Sequence, residues 1–290
     1  MRKIVLQVCI VLFLPVLFMA TSCKQENLKP GIPAFVHIEP FDFETYYPSQ
    51  GTDRQQIKDV WVFAGGTTIG VFELPANIPI LKEGIGELRL EGGIEINGIA
   101  TTRINNPFFE PFVIQDFNFI PDSVVTVSPE TYYRDATEFV WMEDFELPSI
   151  SLDTSNLGGN TAIIRVQGDD VYEGNYSGKI KLDSAHMVFE AANFESYELP
   201  SGGRPVLLEM NYKNDYFFSV GIIEESTSQV IKSEVIVLYA QDEWNKIYIN
   251  LTDQVRASSA SSFKILIRTY ITDEDSEANI FLDNFKLMYR

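Results

Sequence analysis

Ala278-Asn279-Ile280-Phe281-Leu282-Asp283-Asn284-Phe285-Lys286-Leu287-Met288-Tyr289 closes the chain as a stretch of β-forming residues with no glycine or proline. Apolar and polar residues interchange at short range, which predicts a strand rather than a helix. Similar runs recur upstream at residues 263–269, 245–249, 233–240, 216–223, 206–212, 187–191, 178–182 and 161–166. Before those come residues 124–127, 113–119, 93–96, 86–90, 68–74, 59–63 and 34–38. Gly, Pro, Asn and Asp bound most of these runs. Gly65-Gly66 marks a hairpin, and Asn97-Gly98 is a type I′ turn signal, because both central positions of that turn need positive φ. Long helical patterns and internal repeats are missing. So many short strands with regular turns predict an all-β chain of two antiparallel sandwiches. The pattern breaks at residues 128–145, which places a boundary near residue 135 and gives units 33–135 and 136–290. Each unit has enough strands to enclose its own core, so the two are expected to fold independently.

The other decisive position is Cys23. Arg2 and Lys3 precede an apolar run over residues 4–20, and Ala20, Thr21 and Ser22 are small residues directly before the cysteine. A basic start, a short apolar core and small residues at the cut are the physical requirements of a secretory leader. A cysteine as first mature residue resembles the bacterial lipoprotein signal, in which that thiol receives a diacylglycerol and the new N-terminus is acylated, for example with palmitate. The signal usually has Leu three residues before the Cys, where this chain has Ala20. Residues 1–22 are then the leader and 23–32 a polar tether to the first strand. The alternatives are an uncleaved anchor, although the run is shorter than the about 20 residues that span a bilayer, and a secreted chain with a free thiol. Lipidation implies an outer-membrane location in a Gram-negative cell, with the periplasmic and surface faces both open. With Cys9 removed and Cys23 acylated, no disulfide forms.

The chain has 22 Lys plus Arg against 41 Asp plus Glu, a net charge of −19. Without Arg2 and Lys3 the balance is 20 against 41, or −21. That field repels nucleic acid and excludes it as a partner.

Enzyme signatures are weak. The only histidines, His37 and His186, fall in different units, and each reads as a packed or surface residue. Gly65-Gly66, Gly92-Gly93, Gly158-Gly159 and Gly202-Gly203 lack the Lys-Ser/Thr of a phosphate loop and read as turns. A glycosidase pair needs two carboxyls facing each other across a cleft. Strand alternation would put Asp144 and Glu146 on one face and Glu143 on the other. No catalytic residues are assigned, and the chain is read as a non-enzyme.

The second unit resembles the jelly-roll carbohydrate-binding modules and their galactose-binding-like relatives. Four stretches carry the resemblance in order: Phe145-Glu146, residues 176–182 (Tyr-Ser-Gly-Lys-Ile-Lys-Leu), residues 242–252 (Asp-Glu-Trp-Asn-Lys-Ile-Tyr-Ile-Asn-Leu-Thr) and residues 278–287. The first unit is similar to small immunoglobulin-like or transthyretin-like domains of Bacteroidetes lipoproteins, through Asp59-Val60-Trp61-Val62-Phe63, residues 70–75, residues 98–103 and Asn106-Pro107-Phe108. The resemblance implies a structural calcium, the one cofactor assigned, tying Glu146 to Asp283 near one edge of the second sandwich; alternatively Asp283 caps a turn. It also implies a glycan partner stacking on an exposed ring. Trp244, Tyr172 and Tyr176 are the candidates, the two tyrosines being better placed in the polar loop 169–176. Ser123 and Ser184 lie in Asp-Ser-small or Asp-Ser-apolar stretches that resemble an O-glycosylation sequon of exported Bacteroidetes proteins. Three readings follow. They are a non-enzymatic lipoprotein that captures glycans beside outer-membrane protein partners, a fimbrial subunit joined to neighbours by strand exchange, and a carbohydrate-active enzyme.

Cys23→Ser is expected to block acylation, so that the protein leaves the detergent phase in Triton X-114 partitioning. Unchanged partitioning would remove the anchor from Cys23.

Overall fold

The computed structural model describes residues 31–154, 158–272 and 277–290; Cys23 and most of its tether lie outside them. The all-β expectation is met. The first unit contains β1 (Ala34–Ile38), β2 (Asp42–Glu44), β3 (Asp59–Ala64), β4 (Thr67–Glu73), β5 (Ala76–Ile80), β6 (Gly84–Glu95), β7 (Arg103–Asn105), β8 (Phe112–Phe119), β9 (Val124–Val127) and β10 (Glu130–Tyr132). The second contains β11 (Glu138–Glu143), β12 (Leu152–Asp153), β13 (Ile163–Val166), β14 (Ser177–Leu182), β15 (Val188–Asn193), β16 (Val206–Asn214), β17 (Phe218–Glu225), β18 (Val230–Leu238), β19 (Gln241–Asn250), β20 (Ser262–Tyr270) and β21 (Ala278–Tyr289). Two short helices, α1 (Tyr47–Gln50) and α2 (Thr252–Ala257), interrupt the strands. No described helix is long and apolar enough to cross a membrane.

In the first unit a sheet ordered β5-β1-β9 faces a sheet ordered β4-β3-β6, with β7 and β8 both paired to β6. Period-two alternation drives this packing. Val36 and Ile38 of one sheet meet Val60, Val62, Leu88 and Leu90 of the other, all buried. The Asn97-Gly98 turn has φ of 56° and 64°, the positive values its sequence demands.

In the second unit one sheet runs β13-β14-β21-β16-β19 and the other β12-β15-β20-β17-β18. β21 is the hub of the first: β16 lies along one side, while β14 and β11 share the other end to end. Ile180, Leu208, Met210 and Phe285 pack across the interior with Phe189, Val220, Ile222, Ile265 and Ile267.

Two expectations are corrected. Residues 86–90 and 93–95 belong to the single strand β6, with Ile96 just beyond its end, and Gly92-Gly93 is not a turn. A Cβ at Gly93 would stand 2.9 Å from Asp59 Cβ, and one at Gly92 3.0 Å from Ile57 Cδ1. Close approach of a neighbouring strand, not backbone reversal, requires these glycines. The interruption at 128–145 contains β10 and β11; Phe139, Val140 and Trp141 favour extended backbone strongly enough to outweigh their charged neighbours.

A third apolar cluster belongs to neither unit. Leu207, Tyr248 and Met288, on the outward side of the β21 sheet, pack with Phe43, Ile94, Ile96, Phe108, Phe109 and Tyr133. The Asn97 turn docks on β19, with Asn97 N–H donating to Tyr248 O at 2.8 Å and Asn250 N–H donating to Asn97 Oδ1 at 2.9 Å. Arg290 Nη1 donates to Pro107 O at 2.7 Å. Separating the units would expose this cluster, which opposes independent folding of the two halves.

Phe108 is fully buried in the shared cluster, so Phe108→Ala should cost about 3–5 kcal/mol. Calorimetry should show one transition for the parent chain and an earlier or split transition for the variant. Two transitions in the parent would mean that the cluster does not couple the halves.

Candidate functional site

The site forms on the outward side of the β21 sheet. Along β21, Ala278, Ile280 and Leu282 enter the core, and Phe281 and Asp283 point the other way. Asn284 then takes φ +52°, opposite a register shift between Glu209 and Asn211 of β16. This irregularity resets the alternation, returning Phe285 and Leu287 to the core and leaving Lys286 and Met288 outward.

At the open end of this face is a cluster of rings. Tyr172 and Trp244 have ring centroids 5.2 Å apart at 48°, and Trp244 lies 6.4 Å from Phe281. Lys179, opposite Phe281 on β14, and Lys213, opposite it on β16, place their ammonium groups 4.6 and 5.5 Å from the Phe281 ring centre. Tyr172 and Trp244 are half-buried. Trp244 Nε1–H is buried with no hydrogen-bond partner in the protein. Burial pushes the Tyr172 phenol upward, against the opposing pull of Arg54 and Asn211.

Tyr172 is held from both units. Its N–H donates to Ser177 Oγ at 3.0 Å, and that hydroxyl donates to Asp283 Oδ2 at 2.6 Å. The adjacent Glu173 accepts from Thr52 Oγ1, from Arg54 Nε at 3.4 Å and from Asn284 Nδ2 at 3.2 Å. Tyr176 goes elsewhere: its ring lies beneath Arg165, 3.6 Å from the guanidinium carbon, and Arg165 donates to Phe145 O at 2.6 Å and Glu146 O at 3.0 Å. Of the three expected ring residues, Tyr172 and Trp244 come together and Tyr176 braces the loop.

Toward the first unit the same face becomes a buried polar array. Lys246 Nζ lies 2.9 Å from Glu209 Oε2, and Tyr133 hydroxyl donates to that oxygen at 3.1 Å. Lys286 Nζ donates to Thr52 O at 2.5 Å and to Tyr133 Oη at 3.2 Å. Burial drives the Lys286 ammonium down to about 7, against the upward pull of Glu209. Burial likewise drives Asp283 up to about 8; Ser177 and Asn284 donate to it and oppose that rise, while Asp144 and Glu173 add to it.

Glu146 and Asp283 have separate partners. Glu146 accepts from Asn175 N–H at 2.7 Å, Tyr176 N–H at 2.9 Å and Asn175 Nδ2 at 3.2 Å. Burial raises its pKa, but these donors outweigh burial and hold it below the usual range. Asp283 accepts from Ser177 Oγ and from Asn284 N–H at 2.8 Å, and it lies in the central strand rather than at an edge. Each carboxylate thus accepts from its own set of donors. Among the described residues no three His, Cys, Asp or Glu side chains group as metal ligands. The calcium expectation therefore rests on the resemblance alone.

Asp144 and Glu146 do come to one side, but not through strand alternation. β11 ends at Glu143 and Phe145 has φ +58°, so strand alternation stops before these residues. Asp144 Oδ1 accepts from Glu146 N–H at 3.1 Å and its Oδ2 from Tyr47 hydroxyl at 2.8 Å. They line a cavity of about 440 Å³ between the units with Tyr47, Thr52 and Lys286. His37 Nδ1 is 2.8 Å from Asn77 Oδ1, and His186 Nδ1 is 3.0 Å from Asp183 Oδ1. Ser184 is exposed in the turn after β14, and Ser123 Oγ donates to Ile120 O at 2.7 Å. Lys179, Lys213 and Phe281 were missed from sequence. The outward phase of Phe281 could have been read between Ile280 and Leu282, whereas the lysines become neighbours only through strand pairing.

No family model and no curated protein matches the chain. Solved structures similar to it are carbohydrate-binding modules with a β-sandwich fold. One comes from a study of promiscuous specificity in the β-sandwich superfamily, at 14% identity and TM-score 0.39, covering 79% of this chain and 84% of that one. Another is the family 11 module of cellulase Lic26A-Cel5E of Clostridium thermocellum, at 13% identity and TM-score 0.38, covering 52% of this chain and 94% of that one. A third is a family 22 xylan-binding domain, at 12% identity and TM-score 0.35, covering 54% and 97%. At such low similarity the site stands on its own geometry.

The buried array has a pH signature. Asp283 has a folded pKa of about 8 against about 4 unfolded, so its contribution is present below pH 4 and is lost as pH rises to about 8. Lys286, at about 7 folded against about 10.4 unfolded, contributes fully above that unfolded value and loses the contribution as pH falls toward 7. Thermal stability should pass through a minimum near pH 7–8, and Asp283→Asn should flatten the acid arm. An unchanged slope between pH 4 and 8 in that variant would exclude Asp283 as its source.

Proposed function

We propose that this is a lipid-anchored, non-catalytic protein that captures a glycan on the platform of Tyr172 and Trp244, with Phe281 buried behind them. One observation carries the reading: the half-buried rings of Tyr172 and Trp244 lie together, with centroids 5.2 Å apart. Sugars present an apolar C–H face and a polar rim, and so suit a ring flanked by donors. Lys213 and Lys179, over the neighbouring Phe281, supply further donors for hydroxyl groups. Acylation at Cys23 would hold this platform at a membrane.

The acylated chain is expected to bind at least one member of a glycan array. Trp244→Ala should weaken that binding about tenfold or more, equivalent to about 1.4 kcal/mol, while Tyr172→Phe should largely preserve it. A parent chain that binds no glycan, or a Trp244→Ala variant that binds equally well, would overturn the proposal.

A further inference from the structure

The end of the first sandwich where the described chain begins carries several exposed aliphatic side chains beside the exposed carboxylates of Glu83 and Asp122. Three segments meet there: residues 31–33, the β5–β6 connection with the start of β6 at 81–85, and the β8–β9 connection at 120–123. Backbone hydrogen bonds fasten them, from Asp122 N–H to Pro33 O at 3.0 Å and from Phe35 N–H to Ser123 O at 2.9 Å. A Cβ at Gly31 would lie 3.5 Å from Leu81 Cδ2. From these adjoining segments project Ile32, Leu81, Ile85 and Ile120, which are 64%, 76%, 70% and 47% exposed. Ile32, Leu81 and Pro121 line one concavity of about 480 Å³ with Gly31, Lys82 and Glu83. Single exposed aliphatic residues are ordinary. Several on neighbouring loops of one end form a patch that calls for a cover.

Resting on the acylation of Cys23, we infer that this end lies against the bilayer and that Ile32, Leu81, Ile85 and Ile120 enter its interfacial layer. The reach of the chain selects this occupant. Eight peptide steps separate Cys23 from Gly31, and at no more than about 3.6 Å each they cannot carry the patch farther than roughly 29 Å from the anchored residue. The bilayer is therefore always within about 29 Å of Gly31, whereas a partner must be recruited. The four side chains are all aliphatic, without the Trp, Tyr or Arg anchors that concentrate binding energy in protein interfaces. A net charge of −21 without the leader opposes electrostatic adsorption to anionic lipid, so the contact is apolar and is not weakened by added salt. Acyl chain and apolar loops then act as two membrane signals, and the second restricts the orientation that the first leaves free.

The test uses the mature lipoprotein in vesicles of phosphatidylethanolamine and phosphatidylglycerol. Cys23 is blocked by its thioether, so Leu81→Cys or Ile120→Cys provides a single site for an environment-sensitive fluorophore. Val230→Cys on β18, 63% exposed in the other unit, is the control. Labels at 81 and 120 should shift to the blue and be quenched by lipids brominated on their acyl chains, in low and high salt alike, while the label at 230 does neither. Labels at 81 and 120 as wet as that at 230, in protein that remains anchored, would overturn the inference and leave the anchor standing. Shielding that persists in detergent and grows with protein concentration would assign the patch to a second copy and overturn it as well. A parent chain absent from the detergent phase would overturn the anchoring reading, and this inference with it.

Discussion

The pairing of β21 along both of its sides is the constraint on which the molecule depends. β16 takes one side; β14 and β11 divide the other. A strand in that position has no free edge and two covered faces, which explains why it is buried almost throughout. One face supplies Ile280, Leu282, Phe285 and Leu287 to the second sandwich. The other gives Phe281 to the ring cluster, Asp283 and Lys286 to the polar array and Met288 to the interface. Core, candidate site and junction between the halves are thus set by the phase of one strand, and the irregularity at Asn284 allows both faces to be used along its length.

The polar array makes this face costly. Glu209, Lys246, Asp283 and Lys286 are buried, and taking charged groups from water costs several kcal/mol each unless partners compensate. Their partners come from both halves: Tyr133 and Thr52 from the first unit, Ser177 and Asn284 from the second. The same groups that satisfy the array therefore fix how the halves dock. Apolar contact among Phe43, Phe108, Phe109, Leu207 and Met288 supplies the non-directional attraction. Hydrogen bonds to buried groups supply the register, because a shifted docking would leave them unpaired.

This docking also defines how much sheet face stays open. Tyr248 is buried by Ile96 and accepts from Gln56 N–H through its hydroxyl at 2.8 Å, whereas Trp244, four residues earlier on the same strand, is only half-buried. The first unit covers one end of the sheet and, through Arg54 and Thr52, steadies the loop that carries Tyr172. It thus bounds the ring cluster while lying outside it.

Much of the architecture was legible in the chain. The runs at 124–127 and 278–289 coincide with β9 and β21, because alternating apolar residues can bury one face only as extended backbone. Asn97-Gly98 announced its turn for a similarly local reason. Gly92-Gly93 misled, since a glycine needed for close packing against Ile57 and Asp59 looks the same in sequence as one needed for a turn. Asp144 and Glu146 line one cavity, but positive φ at Phe145, and not the alternation that the sequence pattern would continue, brings them there. Tyr172 and Trp244 could be named as aromatic candidates, but Tyr176 looked equally suitable until Arg165 covered its ring. Local propensity and periodicity thus determined that the chain is all-β and where most strands run, because those preferences act between near neighbours. Which rings meet, which charges are buried and which face remains open were decided by tertiary structure alone, because strand pairing and docking unite residues as distant as Thr52 and Lys286.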